Sequence, residues 1–450
     1  MTVSHFVVHS LAVSKNPETL PPHYRWNFFA ILGDYIGFGL ALTFVSVSSV
    51  LPAFVGQLTT SAPVIGLVGT VFRGAWLLPQ LGAAHLIGDK PKKPYLVAGM
   101  SGRVALWIIA LALWAGLARY PVAMLVLFFA CLALWASTDA VATVAWFDIF
   151  ARAIPPRRRG RMIGVGQFIG GLAGVGVGVL VGLVLNRYAF PADYALLFAL
   201  AGVMMALAAI ALALIREPPP EEADPHTESK AAGGWLKPLL TDRVFGYLMA
   251  CRMLVGMVDM AIPFYVGHAE KVLRLPESTV GGFIIAQTVA GVIASPVLGW
   301  ISERWGARNV IRIGSAAAAI GPLFALAAHL AGGGWLARAY PFVYVALGVV
   351  NSSWMLGFFN YMLEIAPPGI RSVYVGLGNT IMGALTLLPM LGGWLLEATS
   401  YTTLFGVTAG TVGLGFLLTL WLKPTQPTTP AEDGHTGCTL PPHPTTDGTV

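Results

Sequence analysis

The chain has 450 residues, of which 56% are hydrophobic and 11% charged, with a formal net charge of +6. Soluble domains carry about 25% charged residues, so this composition excludes a chain whose main solvent is water. The basic balance calls for no nucleic acid, because the placement of Lys and Arg has a topological explanation given below.

Apolar stretches long enough to cross ~30 Å of hydrocarbon at about 1.5 Å per residue recur along the sequence. Six are predicted at 27–50, 63–88, 95–117, 121–147, 162–185 and 194–215, and six more at 245–266, 280–300, 310–330, 340–365, 373–396 and 402–422. Each reads as helix, because backbone groups in lipid must be satisfied internally and the runs lack the alternation of a membrane barrel. The expected organisation is an N-terminal segment 1–26, a bundle 27–215, a linker 216–244, a second bundle 245–422 and a disordered tail 423–450. The linker opens Glu217-Pro218-Pro219-Pro220-Glu221-Glu222 and has too little apolar content to fold alone. No basic stretch leads into a short apolar core with a cleavage site, so the first span is expected to direct insertion itself. Cys131, Cys251 and Cys438 are scattered and form no evident disulfide framework.

The two bundles carry an internal repeat. With an offset of 212 positions, Pro155, Pro156, Arg159, Gly164, Gly166, Ile169 and Gly171 fall on Pro367, Pro368, Arg371, Gly376, Gly378, Ile381 and Gly383. The predicted fold is therefore an all-α integral membrane protein, with twelve transmembrane helices in two pseudo-symmetric six-helix bundles, which is a transporter pattern. With the N-terminus inside, twenty of the 27 Lys and Arg fall on the cytoplasmic side, five outside, and Arg73 and Arg252 inside the membrane. Basic residues accumulate on cytoplasmic loops, so both termini are expected in the cytoplasm and the protein in the plasma membrane.

Between the eighth and ninth spans lies Gly299-Trp300-Ile301-Ser302-Glu303-Arg304-Trp305-Gly306-Ala307-Arg308. Together with twelve spans, a long central linker and matching halves, this loop resembles the major facilitator superfamily of secondary transporters, whose loop reads Gly-x-x-x-Asp/Glu-Arg-x-Gly-x-Arg/Lys. Its counterpart keeps the acidic-basic core at Asp89 and Lys90, but has His85 and Lys92 in place of glycine. The resemblance implies a cytoplasmic gate built from Asp89, Lys90, Glu303 and Arg304, and the repeated arginines Arg159 and Arg371 are expected to belong to the same gate. It also implies a central cavity among the first, fourth, seventh and tenth helices. The glycine-rich fifth span lacks the Gly-Pro pair of family antiporters, and its glycines are explained mainly by close helix packing.

Asp34, Arg73, Asp139, Arg252 and Asp259 lie well inside their spans, where an unpaired charge costs at least ~2.5 kcal/mol. Asp34, Asp139 and Arg252 each stand roughly 12 Å from the cytoplasmic helix ends, so the two acids are expected to form a proton-sensitive lock with Arg252. Arg73 and Asp259 are nearer the midplane and are expected to help bind substrate. Arg103, on a peripheral helix, is expected to snorkel towards the cytoplasm. Tyr35, Trp146, Asn351, Trp354 and Asn360 complete an aromatic, sparsely polar cavity suited to an amphipathic organic molecule.

No nucleotide-binding phosphate loop, catalytic triad or zinc helix motif is evident, and no cofactor is expected. His435, Cys438 and His443 are metal-capable but sit in the tail, so no metal site is expected. The leading expectation is a non-enzymatic, functionally monomeric permease, proton-coupled, moving a small organic solute, with export of amphipathic compounds as one form of that activity. A metabolite or sugar importer and a non-transporting receptor with a transporter fold are the alternatives, and a multispan enzyme acting on a lipid substrate ranks below them. Fold alone does not choose among these.

Overall fold

The computed structural model describes residues 20–87, 90–219, 242–332, 334–367 and 371–424. Twelve helices among them are long and apolar enough to cross a membrane. In order they are Tyr24–Phe44, Ala62–Ile87, Lys92–Trp114, Pro121–Ala153, Pro156–Arg187 and Ala192–Ala213, then Arg243–Lys271, Thr279–Trp305, Ala307–Leu330, Pro341–Ile365, Tyr374–Ala398 and Tyr401–Thr419.

The differences from expectation have local causes. The run predicted as one helix over 27–50 ends at Phe44, and a second short helix follows at Val50–Leu58. The Pro155-Pro156-Arg157 turn is almost absorbed into the fifth span. Pro156 stands at its first position, where the missing N–H is not needed. The seventh span is not continuous: Arg243–Gly256 passes through a 3-10 turn, Met257–Met260, and resumes at Phe264–Lys271 after Pro263, which cannot donate to the ladder. Comparable interruptions are the 3-10 turn Met100–Val104 in the third span and the π-helical turn Met355–Phe359 in the tenth.

Packing repeats under the same duplication. In the first half, span one packs on six, two on four and three on six; in the second, seven packs on twelve, eight on ten and nine on twelve. The halves meet along two seams, two against eleven and five against eight, which the duplication exchanges. Apolar cores fill each half, with Phe54, Phe128 and Phe198 packed edge-on in the first and Phe283 stacked on Tyr344 in the second. His268, completely buried, holds Tyr340 at 3.0 Å and His329 at 3.1 Å inside the second half.

Each half is tied off at its own ends. Asn27 exchanges two hydrogen bonds with the Arg216 backbone, donating to its carbonyl at 2.8 Å and accepting from its N–H at 2.9 Å. Glu217 accepts from the backbone N–H groups of Lys92 and Lys93, at 2.8 and 3.0 Å, and from Arg152 at 3.0 Å. In the second half Asp242 caps the seventh span, accepting from the N–H groups of Val244 and Phe245 and from the Tyr374 hydroxyl. Tyr361 donates to the Lys423 carbonyl at 2.8 Å.

Burial acts upward on the Glu217 carboxyl, but the two backbone N–H groups and Arg152 outweigh it and hold its pKa below the ordinary value. A depressed carboxyl stabilises the fold above its unfolded pKa of about 4.3, and the contribution is lost as pH falls through the folded value. Glu217→Gln is therefore expected to cost roughly 1 kcal/mol at pH 7, as a lost helix cap screened by solvent. Thermal unfolding between pH 3 and 7 should show the gap to wild type closing at the acid end.

Candidate functional site

A cavity of about 490 Å³ opens in the first half, lined by Asp34, Tyr35, Phe38, Arg103, Asp139 and Trp146 among others. Arg103 occupies its charged floor. The guanidinium donates from Nη1 to Asp34 at 3.4 Å and from Nε to Asp139 at 3.2 Å, and lies 5.4 Å from the Phe38 ring centroid. All three side chains are less than 10% exposed. Arg103 reaches them because Gly99 and Gly102 press the third span against the fourth. A Cβ on Gly99 would stand 2.6 Å from the Ala142 nitrogen, and one on Gly102 would run into Thr138.

Two expectations are thereby corrected. Arg103 does not snorkel outward, since two buried carboxylates hold it. Nor do Asp34 and Asp139 pair with Arg252, which lies in the other half beside Trp354, its guanidinium carbon 3.4 Å from that ring centroid.

Arg73 and Asp259 form an ion pair across the two halves, where each was expected to serve substrate. They line a second cleft of about 290 Å³ with Asn351, Ser48 and Gln287, and Ser48 donates to Gln287 at 3.0 Å between the halves at the same cleft. The Arg73 side chain is 44% exposed and Asp259 15%, so the pair stays accessible from the cleft. Trp354 is 41% exposed, whereas Asn360 donates to the Leu356 carbonyl of its own helix at 3.3 Å.

At the gate, Asp89 lies outside the described residues, as does the Arg371 side chain. Lys90 is engaged rather than free. Arg159 donates to the Ile154 and Ala151 carbonyls at 3.0 and 2.6 Å. Glu303 and Arg304 are exposed, and Arg304 lies 5.8 Å from the Trp300 ring of its own helix. His435, Cys438 and His443 lie outside the described residues, among which no three His, Cys, Asp or Glu side chains converge on a common point.

The seams close at one end only. Near the face opposite the start of the first span and the end of the twelfth, Cβ atoms on Gly66 or Gly393 would strike the backbones of Pro389 or Ala62, and one on Gly281 the backbones of Gly178 and Gly182. Towards the terminus-bearing face, Gly82, Gly164, Gly299 and Gly376 on the same four helices meet open space. Side-chain hydrogen bonds between described residues of the two halves follow this division. Gln57 and Tyr194 donate to Glu277, and Ser61 to Glu397, at the closed end, with Ser48–Gln287 and Arg73–Asp259 midway. The protein is open towards the face at which its first span begins and its twelfth span ends.

Twelve spans in two exchanged halves around such a cleft define a transporter fold. The family model of the Major Facilitator Superfamily matches residues 28–386, and the chain belongs to that family. Among solved structures, a bacterial homologue of the iron transporter ferroportin in its inward-facing state aligns with a TM-score of 0.64 at 14% identity, covering 88% of this chain and 97% of that one. A D-xylose–proton symporter aligns at 0.63 and 16% identity, covering 89% and 98%. A nucleoside transporter aligns at 0.60 and 14% identity, covering 89% and 99%. No curated protein matches by sequence. The chain is a multi-pass membrane transporter and not an enzyme.

Proposed function

We propose that this transporter couples the movement of an amphipathic organic solute to protons, as a monomer in the plasma membrane with both termini in the cytoplasm. The observation that carries this reading is that two buried carboxylates, Asp34 and Asp139, share one guanidinium, Arg103. With both acids ionised the floor of a largely apolar cavity holds one negative charge in excess. Asp34 and Asp139 both line the open cavity, so water entering it lowers the cost of that charge although the side chains themselves are less than 10% exposed. Closing the halves removes the water, and an uncompensated buried charge costs several kcal/mol. A proton on either carboxylate removes the excess, so the closed state binds the proton better than the open one. Differential affinity of this kind is what couples an ion to a conformational change.

The lysine and arginine count favours a cytoplasmic placement for the terminus-bearing face, which makes the observed state inward-open. Phe38, Leu42, Trp76, Trp146 and Phe147 supply the apolar wall that an amphipathic solute needs.

The test uses proteoliposomes with an imposed pH gradient and a panel of lipophilic cations, organic acids, sugars and peptides, read by solute flux and an internal pH dye. Asp34→Asn and Asp139→Asn are each expected to cut gradient-driven accumulation at least tenfold while leaving solute exchange at equal pH measurable. Undiminished accumulation in both variants would overturn proton coupling at this site. Saturable binding without flux would instead favour the receptor alternative.

A further inference from the structure

Arg252 is 2% exposed, yet its Nε and Nη1 have no hydrogen-bond partner. The other deep cations are spoken for: Arg103 holds two carboxylates, and Arg73 holds Asp259. What faces Arg252 is aromatic, Trp354 at 3.4 Å and Phe358 at 6.0 Å. A ring stacked on a guanidinium occupies its flat face and offsets part of its desolvation. It leaves the N–H fork, which radiates in the plane, unused, and that fork fits a carboxylate through two parallel hydrogen bonds.

Trp354 is placed to act as a cover. It stands one turn from Asn351 on the tenth span, a residue that lines the cleft with Arg73 and Asp259. It is 41% exposed, although Arg252 behind it is buried. It also immediately precedes the π-helical turn Met355–Phe359, a distortion concentrated at functional positions. Asp259, the nearest acid along the same helix as Arg252, is already committed to Arg73.

We propose that Arg252 is the anchor for the anionic group of the transported solute, an amphipathic organic acid, and that Trp354 is the cover which the solute displaces. The aromatic ring of the cover then packs against the solute's apolar body while the in-plane donors take its carboxylate. This assignment rests on the transporter reading for its purpose, but not for its test.

The test uses the full-length protein in detergent and a matched set of probes, 2-naphthoate, 2-naphthamide and 2-naphthylmethylammonium, with calorimetry as the binding readout. Naphthoate is expected to bind saturably and at least tenfold more tightly than the other two, and Arg252→Gln to abolish that preference. Arg252→Lys, which keeps the charge without the fork, should retain part of it and covers the case in which the glutamine variant fails to fold. Independently, phenylglyoxal labelling of Arg252, read by peptide mass spectrometry, should accelerate several-fold in Trp354→Ala and be suppressed by naphthoate in the wild type. No naphthoate binding by the folded wild type, an acid-over-amide preference intact in Arg252→Gln, or labelling indifferent to naphthoate would each overturn the proposal. Proton-coupled flux together with any of these results would leave the transport reading standing. Protection of Arg252 without flux of any solute would remove that reading and keep the anion site.

Discussion

Arg103→Gln is expected to destabilise the purified protein by roughly 3–5 kcal/mol, the cost of leaving buried carboxylates without their cation. The same substitution in a protein that also carries Asp34→Asn and Asp139→Asn should cost far less, because no charge then remains in the floor of the cavity. The arrangement makes this contrast sharp, since among the described residues Asp34 and Asp139 have no other cation in contact and Arg103 touches both. Residues that share one network do not contribute additively, so the informative quantity is the loss from Arg103→Gln in the wild type set against its loss in the Asp34→Asn/Asp139→Asn background. Thermal unfolding in detergent measures it. Equal losses in both backgrounds would mean that Arg103 acts through packing against Phe38 and not through the acids.

A single methyl group at Gly281 is expected to reduce transport at least tenfold while leaving each half folded. An added Cβ would sit 2.6 Å from the Gly182 nitrogen and 2.7 Å from its α-carbon. These are backbone atoms of the fifth span, which no rotamer change can move aside. The three atoms nearest to the new carbon all belong to the other half, so relief comes from parting the seam between the fifth and eighth spans. The population then shifts towards the state open at the opposite face. Spin labels on cysteines placed at Gln57 and Glu277, which are hydrogen-bonded across the closed end at 3.3 Å, should report a longer distance in Gly281→Ala. Gly282→Ala is the control, because a Cβ there meets nothing within 4 Å. Unchanged distances and flux in Gly281→Ala would show that this seam is not a state-determining contact.

The number of spans, their approximate positions and the duplication were legible because each depends on runs of apolar residues and on one numerical offset. That offset even anticipates the equivalence of the two seams. Asp34, Asp139, Arg73, Asp259 and Arg252 were legible as deep charges for the same reason, since depth follows from counting residues along a helix. Their partners were not. Depth is one coordinate, and pairing also needs the direction a side chain takes around its helix and the identity of the neighbouring helix. Arg103 stands on a nominally peripheral span, which by sequence alone points it outward. The signal that it turns inward was the pair Gly99 and Gly102 beside it, which marks where two backbones meet. Charge and depth alone point Arg252 to carboxylate partners, but Trp354 occupies that place. The π-helical turn after Trp354 has no compositional mark, because an i→i+5 backbone pattern asks for no particular residue.

The fastenings at Asn27, Glu217, Asp242 and Tyr361 bear on how the two halves exist as objects. Each half closes its entry and exit on itself, the first through Arg216 and Glu217 and the second through Asp242 and Lys423. Among the described residues neither borrows a helix end or a cap from the other, so their shared register comes from the seams rather than from an interleaved chain. Rocking one body against the other then frays no terminus, and the mechanical load of each cycle falls on contacts between helix sides. By the same logic, the protein's ancestry as a doubled unit is still written in its construction: two self-finished pieces, joined in sequence, with no described helix of one threaded into the other.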